Sequence, residues 1–505
     1  MCGYRRITRI HAAAAERGIL CGPTPASQTL VAPPGLTLII VQQQQATGRR
    51  DKPGTGRAGR TCRGDLVAAA LAAALVSAAF IVPHLGFRSV TPLINSTAEE
   101  IRQFAETAPI FGWWDAHVGW GTPVAVAIAI GVVAWGPGLA QAMRWRRLTF
   151  VVWLASAAWA MSLAMIDGWQ LGFAGRLTKP PEYLIEVPGV TDIPAMLRGF
   201  SGRILESQPD SWTAHVSGHP PGALLTFVWL DRIGLGGGAW AGALCVAVGS
   251  SAAMAVLVAV RALGDETLAR RVAPFVVLAP TAIWIAVSAD GYYAGVTAWG
   301  LALLALGATR STWAAMAASL GAGVLLGWGI YLNYGLVLMG LPAIAVLVTA
   351  RNYRPLLGAV IGALAVAAAF TASGFWWFEG YSLVQQRYWQ GIAQNRPFAY
   401  WAWANLASLV CAVGLAPAAA LNRVFTLSEL RSRKALNLLV VACLVAVLAA
   451  DLSALSKAET ERIWLPFAVW LIAAPGLLPT HSHRFWLCVQ AATALLLNSL
   501  ILTNW

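Results

Sequence analysis

What most limits the folds open to this chain is a succession of apolar runs, many of them close to 20 residues long and continuous, not alternating. A helix needs about 20 such residues to cross roughly 30 Å of hydrocarbon. In lipid every backbone N–H and C=O must be paired within the protein, which leaves only helices and closed barrels. Barrel strands alternate between apolar and polar residues, so these runs read as helices. Composition agrees: 58% of the 505 residues are hydrophobic and 11% are charged, against about 25% charged in a soluble domain. The expected fold class is therefore all-α, a polytopic membrane protein with no large soluble domain.

A net charge of +13 would suggest nucleic acid as a partner of a soluble protein. Here the basic residues lie in short clusters between apolar runs, such as Arg144, Arg146 and Arg147, or Arg423, Arg431, Arg433 and Lys434. That pattern orients a chain by keeping Lys and Arg on the cytoplasmic side. It implies a multi-pass protein of the plasma (inner) membrane with a cytoplasmic N-terminus, and the lipid bilayer as its partner in place of nucleic acid. Of the seven cysteines, Cys2, Cys21 and Cys62 precede the spans and Cys245, Cys411, Cys443 and Cys488 lie in apolar runs. None falls in an expected external loop, so they form no disulfide framework.

Residues 1–63 mix Ala-rich, Gln-rich and Gly/Arg-rich pieces, and their one apolar patch, Leu36 to Val41, is too short to span. They read as a disordered cytoplasmic tail; an initiation site placed too far upstream would look the same. Residues 64–147 hold two spans, near 66–83 and 123–140, separated by an outer stretch with Glu99, Glu100, Glu106 and Asp115. Residues 148–505 form the main membrane core. Its spans are expected near 148–166, 239–261, 272–289, 293–309, 312–330, 335–350, 355–372, 400–420, 437–451, 464–479 and 485–502, with external loops at 167–219, 373–399 and 451–463. That makes about thirteen spans. The apolar core of the segment from Pro220 to Gly234 is too short to cross, so it is expected to be re-entrant or interfacial. No internal repeat is evident.

Four outer stretches carry polar groups that lipid-facing helices do not need. Asp167, at the outer end of a span, is either a base held between lipid and water or a plain helix-end residue. His215 and His219 have a spacing that would place two ligands on one helix face. Gly218, Pro220 and Pro221 interrupt that helix, so no metal is assigned, and His219 is held at the mouth of the next helix by prolines suited to its first turn. Trp376, Trp377, Glu379 and Tyr381, followed by Arg387, make an aromatic loop. It reads as an interfacial belt or as a platform for sugar rings beside a phosphate-binding Arg. Lys457, Glu459, Glu461 and Arg462 stand at the mouth of the penultimate span, either as a surface loop or as a phosphate site with its own counter-charges.

The early outer acid Asp167, the long loop, His219-Pro220-Pro221 opening the next apolar segment, then Pro280 and Asp290, resemble the GT-C superfamily of polyprenyl-phosphate-sugar glycosyltransferases. The protein O-mannosyltransferase and lipid-sugar transferase branch is the nearest in pattern. Glu459-Thr460-Glu461-Arg462-Ile463-Trp464 is similar to a stretch of uncharacterised actinobacterial members. The resemblance covers roughly residues 148 to 480. It implies that Asp167 is the catalytic base and that His219 lies near the donor. Two features depart from it: Gly168 and Trp169 follow the acid where a second acidic residue is usual, and two spans precede the expected first one.

The function expected on these grounds is transfer of a sugar from a polyprenyl-phosphate donor to an acceptor hydroxyl on the outer face. Asp167 would be the base, Arg462 with Lys457 or Arg387 would hold the phosphate, and His215, Asp290 and the aromatic loop would line the substrate. A divalent cation at the phosphate is left open, and no nucleotide-binding signature is present. A transporter or lipid flippase is the rival from another class, and an inactive scaffold a third. Transporters place polar groups near the midplane on repeated, broken helices, whereas here the polar groups gather at one side.

Overall fold

The computed structural model describes residues 55–85, 107–206, 208–286, 288–311, 313–432 and 434–504. Residues 1–54 of the expected tail, the acids Glu99, Glu100 and Glu106, and Arg433 lie outside the described residues. The helices that organise the chain begin with α1 (Thr55–Ile81), α2 (Gly121–Ala142), α3 (Trp145–Ala164) and α4 (Pro221–Arg232). They continue with α5 (Gly238–Ala262), α6 (Glu266–Val277), α7 (Ala289–Thr309) and α8 (Trp313–Leu332). After these come α9 (Gly340–Ala350), α10 (Pro355–Ala372), α11 (Trp377–Gln390), α12 (Phe398–Val413) and α13 (Leu415–Val424). The last are α14 (Ala435–Leu452), α15 (Leu465–Leu471) and α16 (His483–Leu500). The protein is a polytopic helical membrane protein.

Among the described residues eight helices are long and apolar enough to cross a membrane, or nine if α12 and α13 form one span bent by 105°. Of the other expected spans, three are helical but short or interrupted, and the 485–502 run is α16, an uninterrupted helix of 18 residues that is less apolar than the eight. The 272–289 run is α6 followed, after a break at Pro280, by the short helix Ala282–Ile285. The 335–350 run is a 3-10 stretch, Tyr334–Met339, leading into α9, and the 464–479 run divides into α15 and Ala474–Leu477. The 373–399 loop contains α11, a helix of 14 residues.

Contacts near the ends of the long helices divide those ends into two sets. At one end, Arg261 lies 4.5 Å over the Trp145 ring and Arg270 donates to the carbonyls of Ala140 (2.7 Å) and Met143 (2.9 Å). Arg423 pairs with Asp65 at the same end (2.7 Å). At the opposite end, the Trp377 indole donates to the Ile330 carbonyl (3.1 Å) and Asn498 to that of Leu163 (3.1 Å). There β1 (Gly112–Trp114) pairs antiparallel with β2 (Ile501–Thr503), in the register Trp113 opposite Leu502. The candidate residues all belong to this second end.

Helix α4 starts and finishes at that end too. It has 12 residues, about 18 Å of helix, too short for the ~30 Å of hydrocarbon. Its first turn is pressed against α8, where a Cβ on Gly222 would lie 2.5 Å from the Tyr331 carbonyl oxygen. From its last turn Arg232 donates to the carbonyls of Val190 (2.8 Å) and Thr191 (2.9 Å) in the long loop. The segment from 220 to 234 thus contains a helix shorter than a membrane crossing requires.

Candidate functional site

Arg462 is the hub of a buried ion network drawn from distant parts of the chain. One of its terminal nitrogens donates to Asp290 (2.6 Å) and the other meets His215 Nε2 (3.1 Å) and Glu459 (2.8 Å). His215 Nδ1 in turn meets Glu182 (2.8 Å), and the second oxygen of Glu459 pairs with Arg396 (3.1 Å). Local structure sets each member. Asp290 opens α7 just after Ser288, whose hydroxyl caps the helix by accepting from the Asp290 N–H (3.1 Å) and donating to its carboxylate (2.9 Å). Ala458 and Glu459 both adopt left-handed backbone conformations, with φ of 69° and 62°, each costing about 1–2 kcal/mol in a residue with a Cβ. That turn brings the Glu459 carboxylate between two guanidinium groups. Burial works against the charge on Glu459, but Arg462 and Arg396 outweigh it and hold the carboxyl at about 2. For Arg462 burial is likewise outweighed by Asp290, Glu459 and Glu182, and its pKa is raised.

His219 stands beside this network. Its Nδ1 donates to the His215 carbonyl (2.7 Å), a bond that leaves Nε2 as the acceptor for the Asn333 amide (3.3 Å). The ring packs against Tyr183 and Tyr293, whose hydroxyls are 3.0 Å apart. Burial pushes its pKa down to about 4, so it is a neutral imidazole at physiological pH. His215 lies in a four-residue helix, Ala214–Ser217, that ends before His219, as the Gly-Pro interruption requires.

The remaining candidates are engaged elsewhere. Lys457 donates to the carbonyls of Ala393 (3.0 Å) and Arg396 (3.1 Å) and lies 4.6 Å over Trp389, so it ties the 391–396 turn to the 451–463 loop. Buried Glu461 accepts from Ser408 (2.8 Å) and from the Phe111 N–H (3.2 Å), and burial raises its pKa. Arg387 pairs with Glu206 and donates to Ser217 (3.3 Å). Trp377 stacks on Tyr381 (5.3 Å, 11°), while Trp376 and Glu379 are exposed.

Asp167 belongs to a second cluster at the same end, and none of its hydrogen bonds among the described residues goes to the Arg462 network. One carboxylate oxygen meets His117 Nε2 (2.9 Å) and the other accepts from Arg176 (3.3 Å). Beyond Arg176, Lys179 donates to the backbone carbonyl (2.9 Å) and side-chain oxygen (3.3 Å) of Asn504. Burial raises the Asp167 pKa, with His117 and Arg176 opposing it. Burial and the neighbouring Arg176 charge bring Lys179 down to about 8, against a smaller opposing effect of Glu182.

Sequence reasoning thus finds His215, His219, Asp290, Glu459 and Arg462, which come together. It places Asp167 at the same end but misses its partners His117 and Arg176, and also misses Glu182, Arg396 and Asn333. Among the described residues no three His, Cys, Asp or Glu side chains are grouped to hold a metal ion.

Two solved structures are similar to this one. ArnT from Cupriavidus metallidurans in the apo state shares 16% identity over 66% of this chain and 58% of its own, with a TM-score of 0.41. The Archaeoglobus fulgidus oligosaccharyltransferase in the apo form shares 13% identity over 65% of this chain and 50% of its own, with a TM-score of 0.43. The matches span about half of the length of those chains. No protein-family model and no curated protein matches the sequence.

Proposed function

We propose that the chain is a membrane glycosyltransferase of the GT-C type, moving a sugar from a polyprenyl-phosphate donor to an acceptor hydroxyl at the membrane surface. The observation that carries this reading is the Asp167 cluster, where a buried carboxylate with a raised pKa has cations beside it at the mouth of the helices. A base of this kind removes the acceptor proton as the acceptor oxygen attacks the anomeric carbon, and the polyprenyl phosphate leaves with the bonding electrons. Lys179 suits the leaving phosphate, because its ammonium hydrogen-bonds only to neutral oxygens of Asn504 among the described residues. Arg176 lies between it and the carboxylate. The Arg462 network, with its own counter-charges, serves in this scheme to tie the 167–219 and 451–463 loops to the start of α7.

The test is direct. The protein in lipid nanodiscs is given radiolabelled polyprenyl-phosphate hexoses and pentoses with hydroxyl acceptors, and release of polyprenyl phosphate is followed. Asp167→Asn keeps the shape and removes the base, so release should fall by about 10²-fold or more. Undiminished release in that variant would place the base elsewhere. Movement of intact donor across the bilayer without bond cleavage would support the flippase instead.

A further inference from the structure

His117 has no role in the resemblance, yet both of its ring nitrogens are engaged, one by a carbonyl and one by the carboxylate of Asp167. Its Nδ1 is 2.7 Å from the carbonyl oxygen of Asp115. A carbonyl can only accept, so Nδ1 carries a hydrogen. Its Nε2 is 2.9 Å from a carboxylate oxygen of Asp167. A hydrogen bond there needs one more proton, held by the imidazole as a cation or by the carboxyl as an acid. If that proton is removed, the Nε2 lone pair faces a carboxylate lone pair across the same distance.

We infer that His117 and Asp167 form a proton-sharing dyad in which His117 is the positioning partner of the proposed base. The placement is built into the fold. The strand β1 before His117 pairs with β2, and the chain is pinned further by Asp115 N–H to the Leu500 carbonyl (3.1 Å) and His117 N–H to that of Ser499 (2.9 Å). Asn498, the residue before Ser499 on α16, lies 3.5 Å from the same Asp167 oxygen that His117 holds. Two segments nearly 400 residues apart in sequence thus hold one imidazole against one carboxylate. The charged groups that face the pair are Asp115 beside His117, Arg176 on the other Asp167 oxygen, and Lys179 beyond Arg176. Burial lowers the His117 pKa, but the Asp115 carbonyl and Asp167 outweigh it and the net shift is upward.

The functional consequence rests on the transferase reading. With the shared proton bound, Asp167 has a cation at each oxygen and is a weak base. Once that proton has left to water, the dyad takes the acceptor's O–H proton as the acceptor oxygen bonds to the sugar carbon and the C–O bond to phosphate breaks. Transfer should therefore rise with pH through the titration of the dyad. In His117→Gln the amide still donates to Asp167 but does not titrate, so the rising limb should move to lower pH by about one unit or more.

A second measurement does not depend on activity. In the full-length protein, labelled with ¹⁵N-histidine and held in nanodiscs, the His117 signal is assigned by its loss in His117→Gln and followed from about pH 5 to about pH 9, a range centred on the ordinary histidine value. The inference expects an imidazolium that persists above the ordinary value, and a fall of about one unit or more in Asp167→Asn. An unchanged His117 titration in Asp167→Asn would overturn the dyad, whatever the reaction. A shifted titration with no transferase activity would keep the dyad and sink the transferase reading. A shifted titration in active protein whose pH–rate limb is unmoved by His117→Gln would overturn the role of His117 in transfer.

Discussion

Arg462 is buried with Asp290 and Glu459 as its carboxylate partners, so its removal leaves Glu459 with Arg396 alone and deprives the buried Asp290 of its guanidinium in a poorly solvated site. Breaking a buried pair from one side costs about 3–5 kcal/mol, and Arg462→Met should lower thermal stability in detergent accordingly. A melting temperature equal to wild type would mean that water reaches the network freely. Glu459 carries the acid sensitivity. Its folded pKa, about 2, lies below its ordinary 4.5, so its contribution is complete above the ordinary value and is lost as pH falls through the interval between them. Glu459→Gln should flatten the loss of stability across that interval, and an acid limb as steep as wild type would assign it to other groups. At this scale the sequence shows which residues are unusual but not whom they meet. Arg462 and Asp290 stand out because a charge amid apolar sequence needs a reason. Their contact spans 172 positions, and that of Arg462 with His215 spans 247. His117 and Glu182 sit in segments between the expected spans, where one more polar residue carries no signal.

The helices show where a length rule succeeds and where it fails. Runs such as 239–261 and 437–451 are uninterrupted and become α5 and α14. The 400–420 run is equally apolar but contains Gly414, whose φ of 84° is open to glycine at little cost. The chain turns there by 105° between α12 and α13. Hydropathy is blind to that turn because it changes no side chain's affinity for lipid. Helices also read their neighbours through small residues, since lipid tails are as apolar as Leu and helix association depends on close packing. A Cβ on Gly323 of α8 would lie 1.9 Å from the Ala359 carbonyl oxygen of α10, and one on Gly362 would lie 2.4 Å from that of Leu320. Gly323→Leu should force these two helices apart at a cost of about 1–3 kcal/mol, whereas Gly138→Leu, which meets nothing within 4 Å, should be close to neutral. Equal melting temperatures for the two variants would show that α8 and α10 separate without penalty.

For the whole molecule the decisive property is polarity between its two ends. Arg146, Arg261, Arg270 and Arg423 lie at one, while Asp167, Asp290, Trp376 and Arg462 lie at the other, and α4 begins and ends with the second set. Contacts decide which residues share an end; they do not decide which end faces the cytoplasm. The positive-inside rule does that statistically, through Lys and Arg in short loops, and it assigns the Arg146 end to the cytoplasm. The proposed transfer then takes place on the outer face, where a lipid-linked donor is the available kind of activated sugar. Single cysteines in place of Trp376, Ile233 and Arg146, all three exposed, test this in a background lacking the native seven. A membrane-impermeant thiol reagent on intact cells should label positions 376 and 233 and reach 146 only after lysis. Labelling of 146 alone would invert the molecule and move the site to the cytoplasmic face. Labelling of 376 without 233 would mean that α4 crosses after all, against its 12-residue length, and the helices after it would then have to be assigned anew.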